Sequence, residues 1–227
     1  MTRIAIIAAM PAELKPLTRG WHYSCSNGVD LWRRHFDDGE WIAASAGAGV
    51  NQATKAFAEV EKLGPVDKVI STGWAGALRE ELAPGEAFDV SAVIDARTGE
   101  RFVTAGPPNE CWLVTSPRVA DLQEKKRLAS TYEAALVDME AAGVARLARM
   151  RGIRFYCIKG ISDGYNDQLP DFNRFISPGG QFKLARFIVF VLLRSWHWSA
   201  LIRMGENSRK AARNIAQSLL DFLDEQE

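Results

Sequence analysis

The chain lacks any excess of charge. Its 28 Lys and Arg residues balance 28 Asp and Glu residues over a length of 227, so no global field gathers a polyanion, and no nucleic-acid partner is expected. Cysteine is scarce: Cys25, Cys111 and Cys157 are odd in number, far apart and without metal-type spacing. The three histidines, His22, His35 and His197, form no constellation, so no metal and no cofactor are expected, and a reduced cytoplasmic setting follows most simply. Long apolar runs are missing too. Phe187–Leu193 is seven residues long, whereas a bilayer span takes about twenty. Near the start, Ile4–Met10 follows a lone Arg3, but Pro11 and Glu13 interrupt it and no cleavage signature follows, which favours a first buried strand over a leader. No long internal repeat or low-complexity segment is visible.

What is present suffices for one globular unit: 47% of the residues are hydrophobic, enough for a substantial core at this length. We expect a single domain over residues 1–227, with an apolar C-terminal extension at about 181–205. The stretch Ala134–Asp163 organises it. The short apolar run Ala134–Val137 leads to the acid pair Asp138 and Glu140, the pattern Met139–Arg151 predicts a helix ending at Gly152, and the apolar run Ile153–Ile161 ends on Ser162 and Asp163. Two strands ending in carboxylates around one helix predict a site, because ligands of open α/β sheets bind outside the carboxyl ends of the strands.

Elsewhere, Trp21–Glu40 has hairpin polarity, with turn signals at Asn27–Gly28 and at 37–39. Trp41–Ser45 reads as a strand, followed by Ala46–Gly47–Ala48–Gly49 and a helical pattern through Ala53, Ala56, Phe57, Val60 and Leu63. A glycine loop entering a helix N-terminus can hold an anion or a hydroxyl with its free N–H groups. Val66–Ser71 is the next expected strand, with Thr72–Gly73–Trp74–Ala75–Gly76 as its loop; Phe88–Ile94, Arg101–Thr104 and Trp112–Thr115 are further strands, and Val119–Ala129 a charged helix. Gly164–Gly180 is turn-rich and reads as a loop beside the site. The last helix is expected over Ser208–Leu223, capped by Asn207 or Ser208.

Four strings now fall in register: Ala9–Met10–Pro11–Ala12–Glu13, Thr72–Gly73–Trp74–Ala75–Gly76, Val137–Asp138–Met139–Glu140–Ala141 and Ile161–Ser162–Asp163. Each sits at an expected strand end, and in this order they resemble the nucleoside phosphorylase superfamily, most of all its methylthioadenosine/S-adenosylhomocysteine nucleosidases. The likeness covers roughly residues 1–180. Within the superfamily, the spacing after Lys125–Lys126, the string Lys159–Gly160–Ile161–Ser162–Asp163 and the added apolar tail look most like the hopanoid-associated phosphorylases, which are proposed to remove adenine from adenosylhopane. The resemblance implies an α/β, three-layer domain with a twisted mixed, mostly parallel central sheet, assembled into a homodimer or larger homo-oligomer. It implies cleavage of the N-glycosidic bond of an adenosyl-type purine nucleoside.

By the same resemblance, Asp163 is the acid that protonates the departing base at N7, with Ser162 beside it to orient it; burial would keep such a carboxyl partly protonated. A turn-forming aspartate before Gly164 is the plainer alternative. Glu140 resembles the ribose ligand, accepting from the 2′- and 3′-hydroxyls and stabilising positive charge at the anomeric carbon, with Met139 covering the sugar. Their plainer readings are a first-turn acid on a helix dipole and core filler. Glu13 resembles the base that activates water. Gly47, Ala48 and Gly49 would back the nucleophile, or phosphate as an optional co-substrate. Arg79 and Arg118 are conceivable anion ligands, each more simply a solvated charge, so hydrolysis is slightly favoured over phosphorolysis.

The sequence departs from the family at Trp74, where a small or hydroxyl residue is usual. A tryptophan there, next to Gly73, could fill the nucleophile pocket, line it for an unusual substrate, or point into the core. Val119 and Ala120 stand where an aromatic usually stacks on the purine. The segment Leu184–Trp198 could touch a membrane surface or admit a lipid-linked nucleoside; burial in the domain or in a subunit contact is the plainer expectation. Two readings stand beside the main one: a methylthioadenosine/S-adenosylhomocysteine nucleosidase, and a non-catalytic purine-nucleoside binding module with its pocket closed by Trp74.

Overall fold

The computed structural model describes residues 2–36, 39–168, 172–175, 177 and 198–224. Its first strand, β1 (Thr2–Ala8), shows why the chain forms three layers. Ala5 and Ile7 join one apolar cluster, while Ile4, Ile6 and Ala8 join another. A strand with apolar residues on both faces must be covered on both. The first cluster is closed by α2 (Val50–Glu61) and α4 (Ala141–Arg151), the second by α1 (Pro11–Leu14) and α5 (Trp198–Asp224).

The hairpin β2 (His22–Ser26) and β3 (Val29–His35) turns through Asn27 and Gly28, both at positive φ, the geometry that an Asn-Gly turn favours. β3 runs antiparallel to β4 (Gly39–Ser45), which is parallel to β1, and β1 is parallel to β5 (Lys68–Ala77). The far side holds β7 (Ala92–Asp95), β8 (Arg101–Val103), β9 (Trp112–Thr115) and β10 (Leu136–Asp138), with β9 parallel to both β7 and β10. α3 (Leu122–Tyr132) covers this end through Leu128, and the sheet is mixed, as expected.

β5 positions the site. β11 (Arg154–Asp163) follows one edge of it from Lys68 to Gly76 in parallel register. The other edge is shared: β1 pairs with Lys68–Ser71 and β10 with Gly76 and Ala77, antiparallel. Between these two partners no strand among the described residues takes the edge of β5, and that gap opens onto the ends of β1, β10 and β11.

Several expectations change. Thr72–Gly76 is not a loop but the second half of β5, because β11 pairs with it as far as Gly76. Phe88–Ile94 divides into β6 (Ala87–Asp89), which pairs with β11, and β7, which pairs with β8 and β9. α3 starts at Leu122, where the Asp121 side chain caps the Glu124 N–H at 2.8 Å. α5 begins at Trp198, so Ser208 lies inside a helix and neither it nor Asn207 is a cap. The run Phe187–Leu193, and most of the extension placed at 181–205, lie outside the described residues, as does much of Gly164–Gly180. Among the described residues no helix is long and apolar enough to cross a membrane.

Candidate active site

A cavity of about 290 Å³ lies at the gap in β5, and its wall includes Glu13, Glu140 and Asp163 together. Three carboxylates far apart in sequence therefore share one hollow. Also in the wall are Ala48, Trp74, Val119, Met139 and Ser162, which the sequence singles out, Asp138 of the strand-end acid pair, and Met10, Lys125 and Met204, to which the sequence assigns no role.

Glu13 belongs to α1, directly after β1. Its Oε2 accepts the N–H of Met10 at 2.7 Å, a capping interaction at the helix start, and its Oε1 accepts the N–H of Trp74 at 2.7 Å. The second bond fills the unpaired edge of β5. Gly73 makes this approach possible: it has φ +119°, and a Cβ there would sit 2.7 Å from Glu13 Oε1. Burial raises the Glu13 pKa, against the lowering effect of both N–H groups and of Lys159.

Glu140 stands between β10 and α4. Its Oε1 accepts the Gly49 N–H at 2.7 Å and its Oε2 the Met139 N–H at 3.2 Å. Burial first, and the neighbouring Asp138 second, push its pKa up to about 8, despite Lys159 and the Gly49 N–H. Asp138 itself faces Lys159, with Nζ to Oδ2 at 2.9 Å, and accepts the Thr115 hydroxyl at 2.7 Å and the Ala141 N–H at 2.9 Å. Lys159 also donates to the Thr72 carbonyl at 3.0 Å.

Asp163, at the end of β11, takes Lys125 Nζ on Oδ2 and the Ser162 hydroxyl on Oδ1 at 2.6 Å. The same hydroxyl lies 3.3 Å from the Ala75 carbonyl, a longer alternative for its one proton. Lys125 donates in addition to the Gly164 carbonyl at 2.6 Å. Gly76 leaves room for this pair, since a Cβ there would be 3.0 Å from Asp163 Oδ2 and 3.2 Å from Lys125 Cε.

The expected anion loop is differently employed. The Gly47 N–H goes to the Ala9 carbonyl at 3.0 Å and the Gly49 N–H to Glu140, while Ala48 alone of the three lines the cavity. Arg79 donates to the carbonyls of Glu110 and Glu133, away from the cavity. Arg118 reaches the cavity wall but is 64% exposed and lies 3.7 Å from Glu124. Trp74 is a wall and not a plug: its indole N–H donates to the Ser208 carbonyl of α5 at 3.0 Å, which turns the ring toward that helix. Val119 exchanges backbone hydrogen bonds with the Asn173 side chain at 2.9 and 3.1 Å. Among the described residues no group of three or more His, Cys, Asp or Glu is placed to hold a metal ion.

No curated protein matches the sequence significantly. Solved structures resemble it closely in shape. A 5′-methylthioadenosine/S-adenosylhomocysteine nucleosidase from Helicobacter pylori with butyl-thio-DADMe-Immucillin-A matches with a TM-score of 0.75 at 18% identity, covering 99% of each chain. Futalosine hydrolase of Helicobacter pylori matches with a TM-score of 0.75 at 17% identity, over 99% of this chain and 98% of that one. The nucleosidase from S. pneumoniae with the transition-state inhibitor MT-ImmA gives 0.73 at 20% identity over the full length of both chains. These likenesses establish the fold as phosphorylase-like α/β. The family model described as the phosphorylase superfamily matches residues 3–122 and 111–185, most of the sequence, and the chain belongs to that superfamily.

Proposed function

We propose that this protein is an enzyme that hydrolyses the N-glycosidic bond of an adenosyl-type purine nucleoside. The observation that carries this reading is the convergence of Glu13, Glu140 and Asp163 on one cavity, each at a position where the family resemblance places a working carboxylate. Asp163 and Ser162 face the base and deliver a proton to N7, so that the purine leaves as a neutral molecule. Glu140 and Met139 hold the ribose. As positive charge develops on the sugar, it favours the ionised form of Glu140, whose attraction is then strongest in the transition state. Glu13 takes the proton of the attacking water.

Water is favoured over phosphate because the backbone N–H groups that would hold an anion are taken, that of Gly47 by the Ala9 carbonyl. The N–H groups of Gly49 and Trp74 are already held by carboxylates. The apolar side chains of Met10, Met139, Met204 and Val119 in the wall support a substrate with an apolar 5′ group, such as a thioether or the hydrocarbon of an adenosylated hopanoid. The binding-module reading loses its motive, because Trp74 leaves the cavity open.

Release of adenine from a panel of 5′-substituted adenosines, with and without phosphate, tests this. Release without phosphate is expected; strict dependence on phosphate overturns the hydrolytic reading, and no release from any of them overturns the enzyme reading. Asp163→Asn should cut turnover by roughly 10²–10⁴-fold, the range for loss of a general acid, while the circular dichroism spectrum is unchanged. Wild-type turnover by that variant would remove Asp163 from its role.

A further inference from the structure

The contact between Lys125 and Asp163 is not accounted for by the mechanism above. Both side chains are buried, 1% and 8% exposed, at the cavity wall. Lys125 belongs to α3 and lies on its inward face with Leu128, one turn away. Both oxygens of Asp163 face donors, the Lys125 ammonium on Oδ2 and the Ser162 hydroxyl on Oδ1. A carboxyl group so placed is set to accept at both oxygens. The base still requires a proton to leave. The group in direct contact that carries a spare proton is the ammonium.

We propose that Lys125 holds the proton destined for the departing base, and that Asp163 passes it on. This rests on the hydrolytic reading above. As the C1′–N9 bond breaks, its electron pair goes to the purine and N7 takes a proton from Asp163, whose Oδ2 takes one from Lys125. Lys125 is left as a neutral amine, Asp163 returns to carboxylate, water adds to C1′ as hydroxide and Glu13 keeps the second water proton. The Glu13 proton then goes to solvent and Lys125 regains one from it, so that one water is consumed and no net proton. Lysine is suited to the task because its ammonium can lose a proton in a buried site, which a guanidinium does not.

The test is the pH dependence of adenine release by Lys125→Met and Lys125→Arg beside the wild type. At pH 8, Lys125→Met should lose about 10²-fold in kcat with little change in KM. Lowering the pH toward 5 should restore much of the loss, because solvent then supplies the proton that Lys125 no longer holds. Lys125→Arg keeps the charge and should stay impaired at pH 8. A loss of the same size at every pH, or full rescue by arginine, would show that Lys125 only holds Asp163 in place and would overturn the proposal. Failure of the wild type to release adenine would instead condemn the hydrolytic reading itself. Should the methionine variant not fold, the arginine variant decides alone: wild-type kcat at pH 8, or an equal loss at pH 8 and pH 5, overturns the proposal, and a loss at pH 8 that shrinks toward pH 5 upholds it.

Discussion

Two buried lysine–aspartate pairs flank the cavity, and they are built for different ends. Lys159 and Asp138 are 1% and 0% exposed, and Thr115, the Ala141 N–H and the Thr72 carbonyl complete the network. Burial opposes the charge on Lys159, but the attraction of Asp138, Cys157 and Glu140 outweighs it and raises the pKa. Lys125 and Asp163 have fewer mutual supports, and both line the cavity. The difference teaches that burial alone does not separate frame from chemistry. What separates them is how much of the pair faces the cavity: Lys125 and Asp163 both line it, whereas of the other pair only Asp138 does.

The strongest way to break the comparison is Lys159→Met. Asp138 would then be a buried carboxylate without its cation, a change that costs about 3–5 kcal/mol. Chemical denaturation should show a loss of that order. Lys159→Met combined with Asp138→Asn should recover most of it, since the asparagine oxygen can accept the Ala141 N–H while its amide nitrogen donates to the Thr115 hydroxyl, which can turn its own proton away. Lys125→Met should cost less, because its partner borders a cavity that water can enter. Equal losses at the two lysines would erase the distinction.

Glu140 offers a smaller effect with a definite sign. Its native pKa of about 8 lies above that of an unfolded glutamate, near 4.3, so between these values the native state binds more protons than the unfolded one. Stability from this group is therefore full at low pH and falls as pH rises through the window, by at most about 1.4 kcal/mol per pH unit. Glu140→Gln removes the slope. Relative to wild type the variant should gain stability from pH 5 to pH 8, read as a widening difference in denaturation midpoint. Parallel curves would mean that Glu140 is ionised throughout.

Much of this frame was legible because strands with apolar residues on both faces announce themselves, and because Glu13, Glu140 and Asp163 each close such a strand or follow it. What escaped had physical reasons. Thr72–Gly76 carries two glycines and reads as a loop, yet β11 pairs along it and supplies the bonds that make it a strand. The start of α5 was hidden because its exposed face from Arg203 to Glu206 masks the period of the apolar one. Lys159 carried an unused signal, a charge inside the apolar run Ile158–Ile161, which requires a buried partner. Lys125 carried a subtler one: it occupies the apolar stripe of α3 in register with Leu128, yet lies among Glu124, Lys126 and Arg127, which conceal it. The partner of each lysine comes from a distant strand, so the pairs themselves were beyond sequence spacing.

Trp74→Phe gives the smallest effect and probes how the cavity wall is anchored. The backbone N–H that holds Glu13 is unchanged by it, while the indole bond to the Ser208 carbonyl is lost. A net loss of about 1 kcal/mol is expected for one such bond, or about 2–4 °C in melting temperature for a chain of this size. Ser208 sits in the first half of α5, and Ala212, Ile215 and Leu219 beyond it are already packed in the core. The loosening should therefore be confined to the part of α5 before Ser208, seen as faster amide hydrogen exchange there and unchanged exchange after Ala212. Uniform acceleration along the whole helix would mean that Trp74 secures α5 as a unit, and the wall of the cavity would then depend on the same residue as the fold.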